Sequence, residues 1–566
     1  MTGSNIVSQY KLLGNAIDTD NYWDFIPLIT NTKKHEFYYK NNGVVHEEAH
    51  DNGDDYSQEK LTSGSLSVAQ SNSSSDAFAV GIKNENKILK GKCNDVVLGI
   101  ANAEAFSKAT AISEAKSSGN GVSAVTANSE SVAQSIAVAT GIDNSGKIIT
   151  GWGKDLILGI ANAEAVSKAT ASSQAKSLKG DMSTAIADSS SVAETIAGAA
   201  GINNEGKIAT GHGNDYVIGI ANSSTSSQAQ ATAKAIFKAN ASDMVANLAE
   251  ISNTAVAEST SIGIAKSQTT TLGINNSGKI CTGEGADLIL GIANTESSSN
   301  SQAMSKSKVI ARDFASVTAE AGANALVQAN AVGIVNQGKI ISGSGNDTIV
   351  GIALNSAVAE AEADALARGM ADGTSSQTST VAIADTSAVR AIGIDNSSGE
   401  IDTGRGNDRI IGYGSTIGIL GGKFKIGDGH DRIIGYGSTV GIEDSVICAG
   451  SGNDYIEATK VEIDPLRDYH RLKDQTSSIK NVKIYGEGGN DTFEIGDFEG
   501  SVTIDGGKDF DVLKLWGNVD NYAISVGSDG RSVTIEDSGS VLNVRNVEEF
   551  YLAGHGGHAY TVEDFA

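Results

Sequence analysis

Small and polar side chains alternate strictly along much of the middle of this chain. From 161 to 176 every odd position is Ala or Ser, and the even positions carry Asn, Glu, Val, Lys, Thr, Ser and Gln. The alternation resumes at 183–199, after a polar interruption at 178–181. A period of two residues is that of a β-strand with small residues facing in and polar residues facing out. Ala-rich sequence also favours helix, but a 3.6-residue period would not keep this parity, so we predict two long strands.

The alternating segments belong to a repeat that returns six times. Its copies begin at Gly81, Gly141, Gly201, Gly273, Gly333 and Gly393. The step between copies is constant except for a longer one between the third and the fourth. A fixed period of about 60 residues is typical of stacked-repeat proteins, in which each unit packs only against its neighbours. The sequence therefore predicts an all-β, repetitive β-solenoid or β-roll.

The length of the underlying coil is suggested by Asp408, Asp431 and Asp454, which close three similar loops at a much shorter step. We predict a basic coil of about 23 residues with two short strands and two turns. Each 60-residue repeat would be one wide turn, in which this coil carries a two-strand arm of about 50 Å, stacked at about 4.8 Å per turn. The 72-residue step would carry a longer arm. The alternative is three coils per repeat, which would require sharp turns inside 161–175, where Gly, Pro and Asp are absent.

Two columns of identical residues bear on this choice. The third residue after each opening glycine is always Asn, and stacked Asn side chains hydrogen-bond from turn to turn. Lys87, Lys147, Lys207, Lys279 and Lys339 would also stack, which is unfavourable unless they point into water. We favour the wide turn.

Composition narrows the function. The chain has 66 Gly, 2 Pro and 5% aromatic residues, so its core must be thin and tightly stacked. A net charge of −26 argues against nucleic acid, and suits carboxylates that bind Ca²⁺. The three cysteines encode no disulfide framework. No apolar run approaches the roughly 18–20 residues of a membrane helix, so we expect no membrane insertion, and the N-terminus lacks the pattern of a cleavable signal peptide.

Most repeats contain the string Gly-x-Gly-x-Asp, which has a mechanical interpretation. The glycines permit a tight turn with positive φ, and the aspartate supplies a hard anionic oxygen. Ca²⁺ takes six to eight oxygens, so neighbouring turns would have to share each ion. Gly and Asp are also the commonest turn residues, so a corner without metal is the alternative. The candidate calcium ligands are Asp155, Asp215, Asp287, Asp347, Asp408, Asp431 and Asp454, with Gly404, Gly406, Asn407, Gly427, Gly429, Gly450, Gly452 and Asn453 in the last three loops.

The C-terminal part resembles a known family. The segments 484–495 (Ile-Tyr-Gly-Glu-Gly-Gly-Asn-Asp-Thr-Phe-Glu-Ile) and 504–515 (Ile-Asp-Gly-Gly-Lys-Asp-Phe-Asp-Val-Leu-Lys-Leu) are similar to the nonapeptide of the bacterial RTX, or haemolysin-type calcium-binding, family. The resemblance implies Ca²⁺ as the cofactor and adds Asp491, Asp505, Asp509 and Asp511 to the candidate ligands. The end, 560–566, is similar to the uncleaved signals that type I secretion machinery reads. The likeness covers about 400–566 and is partial over 81–392, where one loop occurs per long repeat instead of one per nonapeptide.

These observations together predict four parts: an N-terminal cap at 1–60, a long-repeat solenoid at 61–392, a short-coil solenoid at 393–460, and an RTX-like module with a secretion signal at 461–566. We expect an exported, calcium-binding structural protein of the bacterial cell surface or matrix, such as a surface layer, sheath or fibril. Self-association or binding to cell-surface polysaccharide would accompany that role. The alternative is an adhesin that binds ice or glycan on a flat face. We expect no enzymatic activity, because the strand faces are uniform. The His555–His558 pair is a weak candidate for binding a transition metal.

Overall fold

The computed structural model describes residues 44–61, 66–89, 91, 93–117, 123–178, 182–238, 254–311, 314–371, 373–462, 470–471, 477–516, 522–552 and 559–566. All of them belong to one unit, 42–566. Nearly every described residue lies in a β-strand, and the strands stack mainly in parallel in three sheets. The all-β, repetitive solenoid architecture predicted from the sequence is therefore confirmed.

Sheet A contains fourteen strands, whose early members are long. With strands numbered in chain order, its members are β1 (Val44–Leu61), β4 (Val96–Ser117), β7 (Leu156–Leu178), β10 (Tyr216–Lys238), β13 (Leu288–Ile310), β16 (Thr348–Met370), β19 (Arg409–Gly414), β22 (Arg432–Gly437), β25 (Tyr455–Glu462), β26 (His470–Arg471), β29 (Thr492–Ile495), β32 (Val512–Leu515), β36 (Glu549–Leu552) and β37 (Ala559–Tyr560).

Sheet B contains ten strands and forms the return layer of each arm. Its members are β2 (Leu66–Asn84), β5 (Ser123–Asn144), β8 (Met182–Asn204), β11 (Thr254–Asn276), β14 (Phe314–Asn336), β17 (Gly373–Asp395), β20 (Ile417–Leu420), β23 (Val440–Glu443), β27 (Ser477–Lys480) and β30 (Asp497–Glu499).

Sheet C contains thirteen strands, all short. Its members are β3 (Lys87–Leu89), β6 (Lys147–Trp152), β9 (Lys207–His212), β12 (Lys279–Glu284), β15 (Lys339–Ser344), β18 (Glu400–Arg405), β21 (Lys423–Asp428), β24 (Val446–Ser451), β28 (Lys483–Gly488), β31 (Ser501–Asp505), β33 (Ala523–Val526), β34 (Ser532–Asp537) and β35 (Ser540–Arg545). The chain ends in a short 3-10 helix, Val562–Phe565.

The pairing register decides between the two arrangements. Ala161 of β7 pairs with Ala221 of β10, and Ala185 of β8 pairs with Ala127 of β5, so strands one full repeat apart are neighbours. Each repeat thus gives one strand to each sheet and makes one wide turn, and three coils per repeat are excluded. The arm strands are 23 residues long in β7 and β8. This corresponds to about 75 Å including the end at the core, which exceeds the predicted arm length.

Two details of the predicted geometry concern the 72-residue step and the number of strands in a coil. The described arm strands of that step, β10 and β11, have 23 residues each, like their neighbours. The additional residues of the step fall within 239–253, outside the described residues, so the longer arm stays a prediction. Each 23-residue coil has three short strands instead of two, as in β19, β20 and β21, because sheet B continues through the four residues Ile417–Leu420.

Only part of the predicted cap lies within the described residues. Val44–Leu61 forms β1, which pairs in parallel with β4 and so extends sheet A into the segment that we assigned to the cap. The remainder of that prediction, 1–43, lies outside the described residues, as do His555 and His558.

Columns of aliphatic side chains form the core where the three sheets meet. Because the repeats are in register, the same position recurs every turn, and each buried Ile or Val contributes roughly 1.5–3 kcal/mol relative to an exposed one. The sheet B column, 7% exposed at its first residue and fully buried at the others, is Ile82, Ile142, Ile202, Ile274, Ile334, Ile394, Ile419, Ile442 and Ile479.

The interior of the arms is built differently, from Ala, Ser and Thr. Ser135 Oγ donates to the carbonyl O of Val166 in the facing sheet at 2.6 Å, and Ser167 Oγ donates to the carbonyl O of Glu194 at 2.6 Å. A hydroxyl on one layer reaches the other backbone only when the layers lie close together. The alternating small residues therefore make a thin sandwich, as the composition predicts.

Glycines allow the two arm layers to meet the core. A Cβ on Gly159 of β7 would lie 2.0 Å from the carbonyl O of Gly201, which opens the next repeat. A Cβ on Gly201 itself would lie 2.3 Å from the backbone N of Ile220. Both distances are far below any van der Waals contact, so only glycine fits at either position. Steric exclusion of a side chain thus explains why the opening position of a repeat and the position that faces it are both glycine.

Candidate metal centre

The Gly-x-Gly-x-Asp loops connect sheet C to sheet A. In the third copy, β9 ends at His212 and β10 begins at Tyr216, so Asp215 closes the turn. Gly211 has φ 109° and Gly213 has φ 138°, values that favour glycine. A Cβ on Gly213 would lie 1.5 Å from the carbonyl O of Gly153 in the preceding turn. The glycines therefore permit both the turn and the close stacking of loop on loop.

The loop aspartates form one continuous column. The backbone N–H of each donates to Oδ1 of the aspartate in the following turn, as from Asp215 to Asp287 at 2.8 Å and from Asp408 to Asp431 at 2.7 Å. The same bond links long turns, short turns and the C-terminal coils. The column is Asp95, Asp155, Asp215, Asp287, Asp347, Asp408, Asp431, Asp454, Asp491 and Asp511, and Asp511 in turn donates to Oε2 of Glu548.

The second carboxylate oxygen of every member lacks a partner. Oδ2 of each of these ten aspartates is buried and has no hydrogen bond among the described residues. From Asp155 to Asp511 the whole residues are at most 3% exposed. Hydroxyl groups lie beside several of them, but Thr210 and Thr282 donate instead to carbonyl groups of the next turn, at 2.9 and 3.1 Å. A row of buried oxygens without donors is costly unless protons or cations accompany them.

Burial raises the pKa of the carboxyl groups from Asp215 onwards along the column. Desolvation is the largest cause in each case, and it brings the pKa of Asp454 to about 7 and that of Asp491 to about 8. The pKa values of Asp287 and Asp408 are raised to about 7 for the same reason. Part of the column would therefore be protonated near neutral pH in the absence of a cation.

The other polar groups of each loop form hydrogen bonds with the backbone of the loops in adjacent turns. Asn407 Oδ1 accepts the N–H of His430 at 2.8 Å, and Asn453 Oδ1 accepts the N–H of Asn490 at 2.9 Å. The second glycine of a loop donates its N–H across turns, as from Gly406 to the carbonyl O of Asp428 at 2.8 Å. These contacts hold the turns in register and leave the aspartate Oδ2 atoms as the unpaired groups.

Most of the predicted ligands come together in the column. Nine of the predicted aspartates belong to it, namely the eight from Asp155 to Asp491 together with Asp511. The predicted glycines all have positive φ: Gly404, Gly406, Gly427, Gly429, Gly450 and Gly452. Asp505 and Asp509 lie outside it: Asp505 pairs with Arg545 at 3.6 Å, and Asp509 is exposed.

Two residues of this arrangement were not predicted from the sequence: Asp95, the first member of the column, and Glu548, the acceptor at its C-terminal end. Asp95 follows a first copy whose second glycine is replaced by Cys93, so its loop looked degenerate. Glu548 belongs to no glycine-rich string, and only its place one residue before β36 signals it.

The column fits a hard cation in donor type. Within the described residues no place gathers three or more His, Cys, Asp or Glu side chains as a ready ligand set. The donors are instead one free carboxylate oxygen per turn and neighbouring hydroxyl oxygens, both of the kind that Ca²⁺ prefers. Consecutive turns of the stack are about 4.8 Å apart, so the carboxylates of neighbouring turns are close in space.

Other features of the described chain add no competing site. Cys93, Cys281 and Cys448 are free thiols. The described residues contain no helix with the length and apolar character to cross a membrane. No protein-family model matches the chain, and a search of curated proteins finds no relative.

Proposed function

We propose that this chain is an exported structural protein that binds Ca²⁺ along its aspartate column. The observation that carries the proposal is the set of ten stacked aspartates whose Oδ2 atoms are buried without a hydrogen-bond partner. Buried carboxylates need protons or cations. A cation shared between turns would satisfy two carboxylates at once and would stabilise the stack that brings them together.

The mechanism of stabilisation lies in the chain's own residues. The N–H to Oδ1 bonds orient every carboxylate in the same way, so each turn presents its Oδ2 in register with the next, as at Asp347 and Asp408. Ca²⁺ would supply the positive charge that balances these buried, unpaired carboxylate oxygens. Because an unfolded chain offers no such column, binding and folding are linked, and calcium raises the free energy of unfolding.

The proposal extends to the fold and to export. The 60-residue turns, the 23-residue coils and an RTX-like C-terminal module at 461–566 would form one calcium-dependent solenoid. Low cytoplasmic calcium would leave its C-terminal part loose for a type I secretion system, and external calcium would complete folding. Uniform faces repeated over many turns support a structural role at the cell surface or in a matrix.

The test is a calorimetric titration of Ca²⁺ into the chelator-treated chain, counting ions bound. We expect five or more ions per chain, since ten aspartates leave nine gaps between consecutive turns. One to three ions would confine calcium to the C-terminal end, and none would overturn the proposal.

A matched pair of variants locates the ions. The triple variant Asp215→Asn, Asp287→Asn and Asp347→Asn keeps the Oδ1 acceptors but removes three charges from the long turns, so the ion count should fall. The triple variant Asp76→Asn, Asp364→Asn and Asp444→Asn changes three exposed aspartates outside the column, and its count should equal that of the unaltered chain.

A further inference from the structure

A basic strip crosses the outer face of sheet A towards the far end of the arms. Its side chains are exposed or half-buried, and they lie on the five consecutive strands β4, β7, β10, β13 and β16. None of them forms an ion pair with a described residue. The strip consists of Lys116, Lys176, Lys234, Lys306, Lys308 and Arg368. In a chain with a net charge of −26, this concentration of unpaired cations requires an explanation.

An acidic strip crosses the outer face of sheet B. Glu130, Asp188, Glu258 and Glu320 lie on the four consecutive strands β5, β8, β11 and β14, and all four face outward. The register places Asp188 and Glu320 in the same row, on either side of Thr260. No described Lys or Arg pairs with any of the four.

The two strips lie back to back on the same part of the arm. Ser307, between Lys306 and Lys308, donates from Oγ to the carbonyl O of Thr318, two residues before Glu320, at 2.6 Å. Ser259, beside Glu258, lies 2.6 Å from Ser305 through the hydroxyl oxygens. At this part of the arm the sandwich therefore carries mainly positive charge on one face, where Glu114 and Asp364 are exceptions, and negative charge on the other.

The basic strip is unfavourable by itself. Neighbouring strands are about 4.8 Å apart, and like charges side by side on a sheet destabilise it. Lys306 lies directly opposite Lys234 of the preceding strand. Lys308 lies directly opposite Arg368 of the following strand, and the outward positions next to both lysines along β13 carry no carboxylate. A surface of opposite charge would relieve the repulsion within the basic strip.

We infer that the arms of separate copies stack face to face, sheet A of one copy on sheet B of the next. The acidic strip has the strand spacing of the basic strip because both are built from the same repeat. Each copy offers both faces, so the contact is heterologous and open-ended and generates a layered assembly. With sheets about 10 Å apart, one copy would add roughly 20 Å to the stack. An acidic polysaccharide would explain the basic strip alone, whereas a second copy explains both.

The inference rests on the proposed structural role and not on the metal. Its test is sedimentation velocity of the full chain in saturating Ca²⁺ and low salt. The basic-strip variant replaces all six cations: Lys116→Glu, Lys176→Glu, Lys234→Glu, Lys306→Glu, Lys308→Glu and Arg368→Glu. The acidic-strip variant carries Glu130→Lys, Glu258→Lys and Glu320→Lys. We expect the unaltered chain to form large species that dissociate at about 0.5 M salt, where screening shortens the reach of charge.

Each variant alone should stay monomeric, because both of its faces then have the same sign. An equimolar mixture of the two should assemble again, since each variant is complementary to the other. A control with Lys87→Glu, Lys147→Glu and Lys279→Glu alters three exposed lysines of sheet C and should assemble like the unaltered chain.

Assembly of either variant alone, or failure of the mixture to assemble, would overturn the inference. A monomeric unaltered chain that associates only with added polyuronate, through the lysines and independently of the glutamates, would also overturn it and would assign the basic strip to a polysaccharide. Calcium titration of the same variants separates the two proposals, because neither strip belongs to the aspartate column.

Discussion

The backbone N–H of Asp408 donates to Oδ1 of Asp431 at 2.7 Å, and the two residues are 23 positions apart. The equivalent bond from Asp347 to Asp408 measures 2.8 Å across 61 positions. The column therefore continues unchanged from the wide turns into the narrow ones. The arms are additions to a common spine, and the spine alone positions the carboxylates.

The spine predicts an unusual response to pH. The folded-state pKa values of Asp454 and Asp491 are raised to about 7 and about 8, above the unfolded value near 3.8. A group with a raised folded pKa contributes stability that is fully present below its unfolded pKa and is lost as pH rises through the folded one. The chelator-treated chain should therefore lose stability between about pH 4 and 8.

Thermal unfolding in chelator at pH 5 and pH 8 measures this effect, and we expect the higher melting temperature at pH 5. Excess Ca²⁺ should remove most of the difference, because the bound cation compensates the charge. Equal melting temperatures at both pH values without calcium would show that the column carries no buried charge.

Asp454→Asn should have opposite effects with and without metal. The amide keeps the Oδ1 acceptor for the N–H of Asp431 but cannot ionise. At pH 8 in chelator, urea unfolding should show a gain of at least about 1 kcal/mol, because a penalised charge has gone. In excess Ca²⁺ the same variant should be less stable than the unaltered chain. The exposed Asp364→Asn serves as control and should change neither value by more than about 0.5 kcal/mol.

The thin arms should not tolerate larger side chains. Ala193 is fully buried between the two layers, and Ala193→Leu adds volume where Ser hydroxyls span from one backbone to the other. We expect a loss of about 1–3 kcal/mol in urea unfolding. Its neighbour Val192 faces outward, so Val192→Leu should be close to neutral. Equal effects of the two substitutions would contradict a close-packed interior.

The glycines where the arms meet the core should be equally sensitive. Gly159→Ala would place a methyl group 2.0 Å from the carbonyl O of Gly201, so the layers would have to separate. We expect a lower melting temperature and, as a second readout, faster amide exchange at the core end of the arms. Gly198→Ala is the matched control, because the nearest atom to its Cβ is 3.9 Å away. A neutral Gly159→Ala would show that the sheets have more room here.

Much of the fold could be predicted from the sequence because the repeat forces equivalent positions together. The parity at 161–175 gives the strands, and the Asn column is confirmed by the bond from Asn84 Nδ2 to Asn144 Oδ1 at 2.6 Å. The lysine column also behaves as expected, with Lys147 exposed and Lys339 within 3.5 Å of Glu400. These features can be predicted because equivalent positions in successive repeats carry the same residue.

Other features depend on which strands become neighbours, and the sequence could not supply them. The strand Ile417–Leu420 is too short to show a period. Glu548 continues the column from outside any recognisable motif. The acidic and basic strips appear only when the register brings together residues that are distant in the chain, such as Lys234 and Lys306.

The equal strand lengths around the 72-residue step have a consequence for how such a chain can change. The twelve extra residues fall between Lys238 and Thr254, where β10 ends and β11 begins, so the repeat absorbs an insertion without altering the pairing of either neighbour. Residues added between the two strands of an arm thus leave the register of the described strands unchanged. A foreign peptide grafted between the two strands of several arms would be presented as an evenly spaced row, and its pitch would be set by the backbone and not by the graft.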